Sequence, residues 1–456
     1  MEKVIRKEGN GLWRFCNRFN FAADKFIAEV IVFAIVLTLV IYIWGLLIGN
    51  GPMKLLDDWY AGFFSNIMFT FQLSFLIVVC ATCAKAPQVR KLLIKLSYVP
   101  KTRTQAILLI MLFGYATGLI NWGFCNIVTP ILAMYICRAV KGIHWPMIVA
   151  ASFAAQTWTQ CMAPAASVYA LLNTEGHFME ETLGIMNASV TAFNPANIFV
   201  WVIGVVVTII VVIATKPGTN DLVELQHIPL EEDTFEEIPR EEMTVADKMN
   251  TMRILTYAIG IACMIMVVKD IATKGFLNSI NLNYMIFLFF GLNCLLYKTP
   301  KRMMDAYKPN MVLCCEIATI YFLYSSLASL MAGSGISEII TTWTIAHSDA
   351  QTLPVFVYWC ASFINLFVPS QGGQWIIQGP IVIEAAQQLG AHVPTVINAF
   401  VYGDQGTNML QPLYAIPLLS VAGMKLKDCW GMMAFIWIFW LILTSLGLYF
   451  GPLLLN

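Results

Sequence analysis

The stretches that decide the fold are Gly118-Leu-Ile-Asn-Trp-Gly123 and Pro369-Ser-Gln-Gly-Gly-Gln374. Each one interrupts a long apolar region with glycine and amide residues, the first region being 105–137 and the second 353–388. The apolar arms on either side of each interruption hold roughly 14–16 residues, whereas a helix needs about 20 residues to cross the hydrocarbon core of a bilayer. The pattern therefore predicts two helical hairpins that enter the membrane and return to the side from which they came.

Outside these hairpins the composition is that of a membrane protein. The chain has 456 residues, of which 59% are hydrophobic and only 12% charged, compared with about 25% charged in a typical soluble domain. Apolar runs of the length of a membrane span are Phe26–Ile48, Tyr60–Ala84, Pro146–Leu172, Ala196–Ala214, Ile254–Val268, Asn281–Tyr297, Met311–Met331, Thr395–Ala422 and Trp430–Phe450. We therefore expect an all-α integral membrane protein of about nine transmembrane helices plus the two re-entrant hairpins. The net charge of zero gives no indication of a nucleic-acid partner.

The distribution of basic residues predicts which side of the membrane each segment faces. Cytoplasmic loops collect Lys and Arg. If both interrupted regions return to the side they entered, every Lys and Arg except Lys54, Lys269 and Lys274 lies on the side of the N-terminus. If 105–137 crossed instead, the basic residues would divide almost evenly between the two sides. The charges thus predict a cytoplasmic N-terminal segment, 1–25, and hairpins that enter from opposite faces.

Short motifs recur in the two halves of the chain. Ile120-Asn121 at the first interruption resembles Ile364-Asn365 before the second, and Thr159-Gln160 resembles Thr407-Asn408. Each motif of the second pair is followed by a proline, Pro164 in one half and Pro412 in the other. The recurrence predicts two repeats, and one additional crossing in the second half would invert it relative to the first. The predicted domains are a first membrane repeat at 26–214, an acidic cytoplasmic linker at 215–250 and a second membrane repeat at 251–456.

Broken helices inside a membrane indicate a transport site. Backbone N–H and C=O groups must be paired in hydrocarbon, so a break is tolerated only where these groups are buried or contact a ligand. Helix N-termini suit an anion and helix C-termini suit a cation. Amides and hydroxyls at these breaks could also serve as hydrogen bonds between helices. The candidate substrate-binding residues are Asn121, Trp122, Thr159, Gln160, Ser370, Gln371, Gly372, Gly373, Gln374, Thr407 and Asn408.

Asp404 and its neighbour Gln405 are the candidates for ion coupling. No Lys or Arg occurs between Pro309 and Met424, so an anion bound in this half needs backbone N–H groups, neutral side chains or a co-bound cation. Asp404 is the carboxylate nearest a break, and an ionisable group at membrane depth is costly and usually functional. It could bind Na⁺ or carry H⁺. Glu316 and Glu384 are the competing carboxylates.

Several motifs resemble the short-chain fatty acid transporter family, which includes the bacterial acetoacetate/butyrate permease. They are Ile120–Phe124, Phe363–Ser370, Gly372–Trp375, Gln378–Pro380, Tyr402–Gln405 and Asn408–Pro412, and the resemblance runs along nearly the whole chain. That family is grouped with the ion-transporter superfamily of dicarboxylate and citrate carriers. The resemblance implies a scaffold and a moving transport domain, elevator-like alternating access, often a homodimer, and residence in the bacterial cytoplasmic membrane. Gln371 stands where the family usually has glycine, and Gly406 stands where many members have an aromatic residue.

The predicted function is secondary active transport of a small monocarboxylate resembling butyrate or acetoacetate, driven by a Na⁺ or H⁺ gradient and without a cofactor. Trp122 and Trp375 could pack the apolar tail of the substrate or only the hairpins themselves. One alternative is a dicarboxylate or other organic-anion carrier of the same superfamily. A second alternative is a membrane-embedded enzyme, which would need a nucleophile with its base, or a metal cluster, at membrane depth. The five histidines are scattered and complete no such set.

Overall fold

The computed structural model describes residues 9–26, 28–65, 67–164, 166–173, 177, 179–225, 242–275, 279, 282–411 and 413–455. These residues form α-helices and two short 3₁₀ helices, and they contain no β-strand, which confirms the predicted all-α class. Pro412 and residues 226–241 of the acidic linker lie outside the described residues. The placement of the Glu316 side chain is likewise outside the description.

In the described part of the chain, eleven helices precede the linker. They are α1 (Gly11–Phe26), α2 (Val30–Leu47), α3 (Pro52–Phe63), α4 (Ile67–Lys85), α5 (Pro87–Ser97), α6 (Arg103–Ile120), α7 (Trp122–Ala139), α8 (Trp145–Gln160), α9 (Ser167–Leu172), α10 (Glu180–Leu183) and α11 (Pro195–Ala214). Helix α12 (Val245–Asn250) forms the end of the linker, and the helices after it are α13 (Arg253–Lys274), α14 (Leu282–Tyr297), α15 (Pro300–Asn310), η1 (Met311–Cys314), α16 (Cys315–Gly333), α17 (Ile336–Ala346), α18 (Leu353–Asn365), α19 (Gln371–Leu389), α20 (Val393–Thr407), η2 (Leu413–Ala415), α21 (Ile416–Ala422) and α22 (Leu426–Leu455).

Among the described residues, seven helices are long and apolar enough to cross a membrane, and eight if the bent pair of α4 and α5 counts as one span. The multi-pass architecture is thus as predicted, but the spans do not correspond one to one. The arms of the first hairpin are both among the seven, while α14, α18 and the segment Leu413–Ala422 are apolar but shorter. Two predicted spans are interrupted, one between α8 and α9 and the other between α20 and α21.

The first hairpin breaks at Asn121, within the predicted stretch, but its arms are longer than predicted. Helices α6 and α7 have 18 residues each. Helix α6 gains length because Thr102 caps its N-terminus, accepting a hydrogen bond from the Gln105 amide at 3.3 Å, so that Arg103 joins the helix. The predicted arm length was wrong, and a return of this hairpin to its own side stays a prediction that rests on the distribution of charge.

The second hairpin breaks slightly earlier than the sequence indicated. Helix α18 has 13 residues and α19 has 19, and the chain between them runs from Leu366 to Ser370. Gly372 and Gly373, predicted to lie in the break, instead belong to the first turn of α19. Ser370 is the N-cap residue, and its hydroxyl accepts a hydrogen bond from the Gly373 amide at 3.4 Å. This turn therefore presents backbone N–H groups at the hairpin tip.

The same order of elements, a hairpin followed by an interrupted helix, occurs in both halves. In the first half α8 lies against α6, with Thr159 beside Gly118. In the second half α20 lies against α18, with Thr407 bonded to Asn365. Asn121 caps α7 as Ser370 caps α19, each accepting from the amide three residues later. At the hairpin tips the counterpart of Asn121 is thus Ser370, and Asn365 lies about one turn earlier.

The close approach of α18 and α20 depends on Gly403. A Cβ atom at this position would lie 2.8 Å from the Ala361 Cβ and closer still to the backbone carbonyl oxygen of Tyr358. Because a backbone atom cannot yield as a flexible side chain can, we expect Gly403→Ala to lower the free energy of unfolding by about 2 kcal/mol. Thermal unfolding of the purified protein in detergent checks this. The matched control is Gly451→Ala, where a Cβ would meet no atom closer than 3.8 Å; equal midpoints for both variants would contradict the prediction.

The N-terminal segment predicted at 1–25 contributes one helix that packs on the bundle. Helix α1 lies along α22, and the Trp13 indole N–H donates to Asp221 Oδ2 at 2.8 Å. The Asn10 side chain donates to the carbonyl of Ala214 at 2.5 Å. These bonds hold α1 against the end of α11 and the start of the linker. Because α22 belongs to the second half and α11 to the first, α1 connects the two halves.

Candidate functional site

Each hairpin tip contacts the interrupted helix of the other half. At the second tip, Gln371 Oε1 accepts a hydrogen bond from the backbone amide of Val168, at the start of α9, at 3.1 Å. At the first tip, Asn126 Nδ2 donates to the carbonyl of Tyr414, between α20 and α21, at 3.3 Å. The Trp122 ring packs edge-on against the Tyr414 ring, with centroids 5.1 Å apart. The two tips and the two helix breaks therefore form one joint between the halves, and we call it the crossed joint.

Asp404 lies buried beside the crossed joint, with 1% of its surface exposed. Its Oδ2 accepts a hydrogen bond from Gln405 Nε2 at 2.7 Å. The Gln371 side chain adjoins the Asp404 carboxylate, but neither Oδ1 of Asp404 nor Nε2 of Gln371 completes a hydrogen bond of good geometry with a described residue. An ionised carboxylate removed from water is strongly destabilising unless it is paired. The open oxygen is therefore suited to a cation or to a proton.

Asn365 connects α18 to the interrupted end of α20. Its Nδ2 lies 2.6 Å from the Asp404 carbonyl, 3.0 Å from Thr407 Oγ1 and 2.9 Å from Asn408 Oδ1. Asn408 Oδ1 also accepts from Gln411 Nε2 at 2.9 Å. These amides fix the last turn of α20, and with it the position of the Asp404 carboxylate. The structure thus brings Asp404, Thr407 and Asn408 together at the end of α20.

The corresponding end of α8 carries the predicted residues Thr159 and Gln160. The Thr159 hydroxyl donates to the Gln156 carbonyl at 2.6 Å, and Gln160 Nε2 lies 3.4 Å from the Gly118 carbonyl. Both side chains are buried. The Thr159 bond lies within α8, and the Gln160 contact joins α8 to the first hairpin, close to the break that follows Gln160.

Two carbonyls at the first break are already paired with the protein. The Trp158 carbonyl accepts from the Trp201 indole N–H at 2.7 Å. The Cys161 carbonyl accepts from Asn197 Nδ2 at 2.9 Å and from the Tyr169 hydroxyl at 3.1 Å. The expectation that a helix C-terminus offers carbonyls to a cation is not met by these two groups. Buried side-chain oxygens without a hydrogen-bond partner among the described residues also occur near the two breaks, on Gln156 and Asp404.

Of the predicted substrate residues in the two hairpins, only Gln374 lies away from the tips. Asn121 is the N-cap of α7, and Gly372 lies beside Ser167, where an added Cβ would be 3.6 Å from the Ser167 Cβ. Gln374 Nε2 instead donates to the Ala361 carbonyl at 2.9 Å and to Gln378 Oε1 at 2.7 Å. Gln374 therefore joins α19 to α18 behind the tip.

The two predicted tryptophans also differ in position, since one is buried behind a tip and the other lies at a tip. Trp375 is fully buried and packs against Phe400, with ring centroids 4.9 Å apart. Trp122 stays partly exposed at the first tip. Trp375 thus serves the packing of α19 on α20, while Trp122 lies at the first tip against the Tyr414 ring. Among the described residues no group of three or more His, Cys, Asp or Glu side chains could hold a metal ion.

Sequence reasoning left three buried amides out of the candidate set, namely Asn126, Gln156 and Asn365. Asn126 and Asn365 have no exposed surface and Gln156 has 3%. Each retains a side-chain oxygen without a hydrogen-bond partner among the described residues. The signal that could have identified them is an isolated amide in an otherwise apolar helix, close to a break.

Comparison with known proteins places the chain in a family. Residues 12–451 match the family described as "Short chain fatty acid transporter". A protein of Escherichia coli K12, described as "Putative short-chain fatty acid transporter", is 31% identical over 421 residues, which cover 92% of this chain and 94% of that protein. A protein of Haemophilus influenzae with the same description is 30% identical over 446 residues, which cover 96% of this chain and 98% of that protein.

Among solved structures, the chain is similar to the YdaH transporter of Alcanivorax borkumensis, with 14% sequence identity. The alignment covers 92% of this chain and 98% of that one, and the TM-score of 0.39 is too low to establish a shared fold. The assignment therefore rests on the sequence comparisons, which span nearly the whole chain. On that ground this multi-pass membrane protein belongs to the short-chain fatty acid transporter family.

Proposed function

We propose that this protein carries short-chain fatty acids, or similar small monocarboxylates, across the bacterial cytoplasmic membrane and couples their movement to a cation gradient. The names of the two relatives support a transporter of this substrate class. The observation that carries the coupling is the buried Asp404 carboxylate, which the Gln371 side chain adjoins and whose Oδ1 completes no hydrogen bond of good geometry with a described residue.

The anion and the cation have different places in this proposal. The carboxylate of the substrate is held by the N-terminal amides of α7 and α19 and by side chains at the tips, since helix N-termini favour negative charge. The cation, Na⁺ or H⁺, is held at Asp404. A substrate anion and the ionised Asp404 carboxylate repel each other in a low-dielectric site, and a cation held at Asp404 neutralises the carboxylate. Coupling follows because the substrate anion binds well only when the cation is already held at Asp404.

Alternating access in this proposal carries the crossed joint past a static scaffold, in the manner of an elevator. The bonds of Gln371 to Val168 and of Asn126 to Tyr414 join the two halves at the site, which favours movement of both tips together. The scaffold is provided by the remaining helices, and a homodimer would hold it still in the membrane.

Uptake by proteoliposomes tests the proposal directly. Labelled butyrate is supplied under Na⁺ and H⁺ gradients that are imposed separately, and we expect accumulation above equilibrium with one of them. Unlabelled butyrate should compete and succinate should not. Competition by succinate alone would instead favour a dicarboxylate carrier, and the absence of accumulation under either gradient would contradict coupled transport.

The re-entrant path of the first hairpin has its own test. Lys101 and Lys141 flank it and are exposed, so Lys101→Cys and Lys141→Cys can be labelled in a background that lacks the exposed Cys315. We expect both to react with an impermeant maleimide only from the cytoplasmic side. Reaction from opposite sides would show that one arm crosses the membrane.

A further inference from the structure

We infer that Gln156 is the first-half counterpart of Asp404, and that this position sets how many charged groups the site uses to couple transport to a monovalent cation. The inference rests on the coupling role proposed for Asp404. Gln156 lies in α8, one turn before the break, and Asp404 lies in α20, one turn before the corresponding break.

Independent contacts give the register of the two helices. In the first half, a Cβ built on Gly114 would lie 3.1 Å from the Ala155 Cβ, and one built on Gly118 would meet the Thr159 hydroxyl. In the second half α20 takes the place of α8, and the residues of α20 that contact α18 lie 248 positions after the residues of α8 that contact α6. Gly403 lies against Ala361 and Ser362, and Thr407 bonds Asn365. Ala155 thus corresponds to Gly403, and Thr159 to Thr407.

This register pairs residue 156 with residue 404. Gln156 has 3% of its surface exposed and Asp404 has 1%. The Gln156 Oε1 and the Asp404 Oδ1 both lack a hydrogen-bond partner among the described residues. A buried acceptor left unpaired costs about 1–3 kcal/mol, so two such oxygens at equivalent positions indicate a ligand that supplies positive charge.

The two oxygens differ in one chemical property. A carboxylate accepts a cation or a proton and carries a negative charge, whereas an amide oxygen can coordinate an alkali cation but remains neutral. The site therefore has one charged and one neutral position. The equivalent positions lie at equivalent depths along their helices. The number of carboxylates at these two positions therefore matters more than which helix carries the carboxylate.

Moving the carboxylate from position 404 to position 156 tests whether the two positions are equivalent. In proteoliposomes under the coupling gradient we expect Asp404→Asn to lose gradient-driven butyrate uptake, and the double variant Gln156→Glu/Asp404→Asn to recover at least about tenfold over it, equivalent to 1.4 kcal/mol. The control places a carboxylate at Gln378, a buried amide bonded to Thr341 and Cys360. Gln378→Glu/Asp404→Asn should recover nothing.

A second variant gives a result even if the double variant does not fold. Gln156→Leu removes the unpaired oxygen at similar volume, so a purely structural role predicts equal or greater thermal stability and unchanged cation dependence. We expect equal or greater stability together with a roughly tenfold higher cation concentration for half-maximal uptake. Gln378→Leu should lose stability and keep the wild-type cation dependence.

The outcomes separate the two proposals. No recovery in the folded double variant, or an unchanged cation dependence in Gln156→Leu, overturns the inference about Gln156 and leaves the role of Asp404 intact. Full gradient-driven uptake by Asp404→Asn overturns both.

Discussion

Replacement of Asp404 by Asn should reduce gradient-driven uptake of butyrate by roughly 30–150-fold. The variant keeps the size of the side chain and removes its charge. Loss of a hydrogen-bonding group that is charged costs about 2–3 kcal/mol, which corresponds to this range of affinity for the cation. The measurement is the initial rate of labelled butyrate uptake by proteoliposomes, together with its dependence on cation concentration.

Glu384→Gln is the matched control for this experiment. Glu384 lies in the same half and is exposed, and its Oε1 accepts from Gln388 Nε2 at 3.0 Å. Because a solvated carboxylate contributes no buried charge, this variant should retain the uptake and cation dependence of the wild type. Equal uptake by the Asp404 and Glu384 variants would remove Asp404 from the coupling mechanism.

Replacement of Asn365 by Leu should reduce both stability and transport. The change removes the donor that serves the Asp404 carbonyl, Thr407 Oγ1 and Asn408 Oδ1. If two of these buried acceptors lose their partner, we expect the free energy of unfolding to fall by about 3 kcal/mol. The end of α20 also loses its anchor to α18, so the cation concentration for half-maximal uptake should rise. Thermal unfolding in detergent and uptake by the folded fraction measure the two effects.

Asn293→Leu separates stability from site geometry in that experiment. Asn293 is also fully buried, and its Nδ2 donates to the Val79 carbonyl at 2.9 Å, so it bonds α14 to α4 and not to α18 or α20. This control should lose stability while the folded fraction keeps the wild-type cation dependence. If Asn365→Leu behaves in the same way, Asn365 has no role in positioning Asp404.

The sequence located both breaks because glycine and amide residues interrupt apolar runs there. It misjudged the arms of the first hairpin because Thr102 caps α6 ahead of Arg103, and a cap allows a helix to include polar residues that hydrophobicity alone would exclude. It also placed Gly372 and Gly373 in the break, although the cap at Ser370 draws both into α19. Capping chemistry thus explains both of these errors in helix boundaries.

The sequence indicated part of what lies at the crossed joint. Asp404 and Gln371 were candidates because carboxylates and amides are rare at membrane depth, and both lie there. Gln374 was expected at the tip, but a residue three positions further along a helix lies about 4.5 Å deeper, and its side chain bonds to α18 instead. Asn365 was omitted since its partners, Thr407 and Asn408, lie some forty residues later in the chain, and only the packing of α18 on α20 brings them together.

The crossed joint restricts how this protein can change shape. Each tip is hydrogen-bonded to a segment of the opposite half. Neither hairpin can therefore move away from the joint by itself without breaking its bond to that segment. A neutral hydrogen bond contributes only about 1 kcal/mol. The bonds between each tip and the opposite half can therefore break and form again, yet they favour movement of both tips together. In the alternating access proposed above, opening toward one side of the bilayer is thereby tied to closure toward the other.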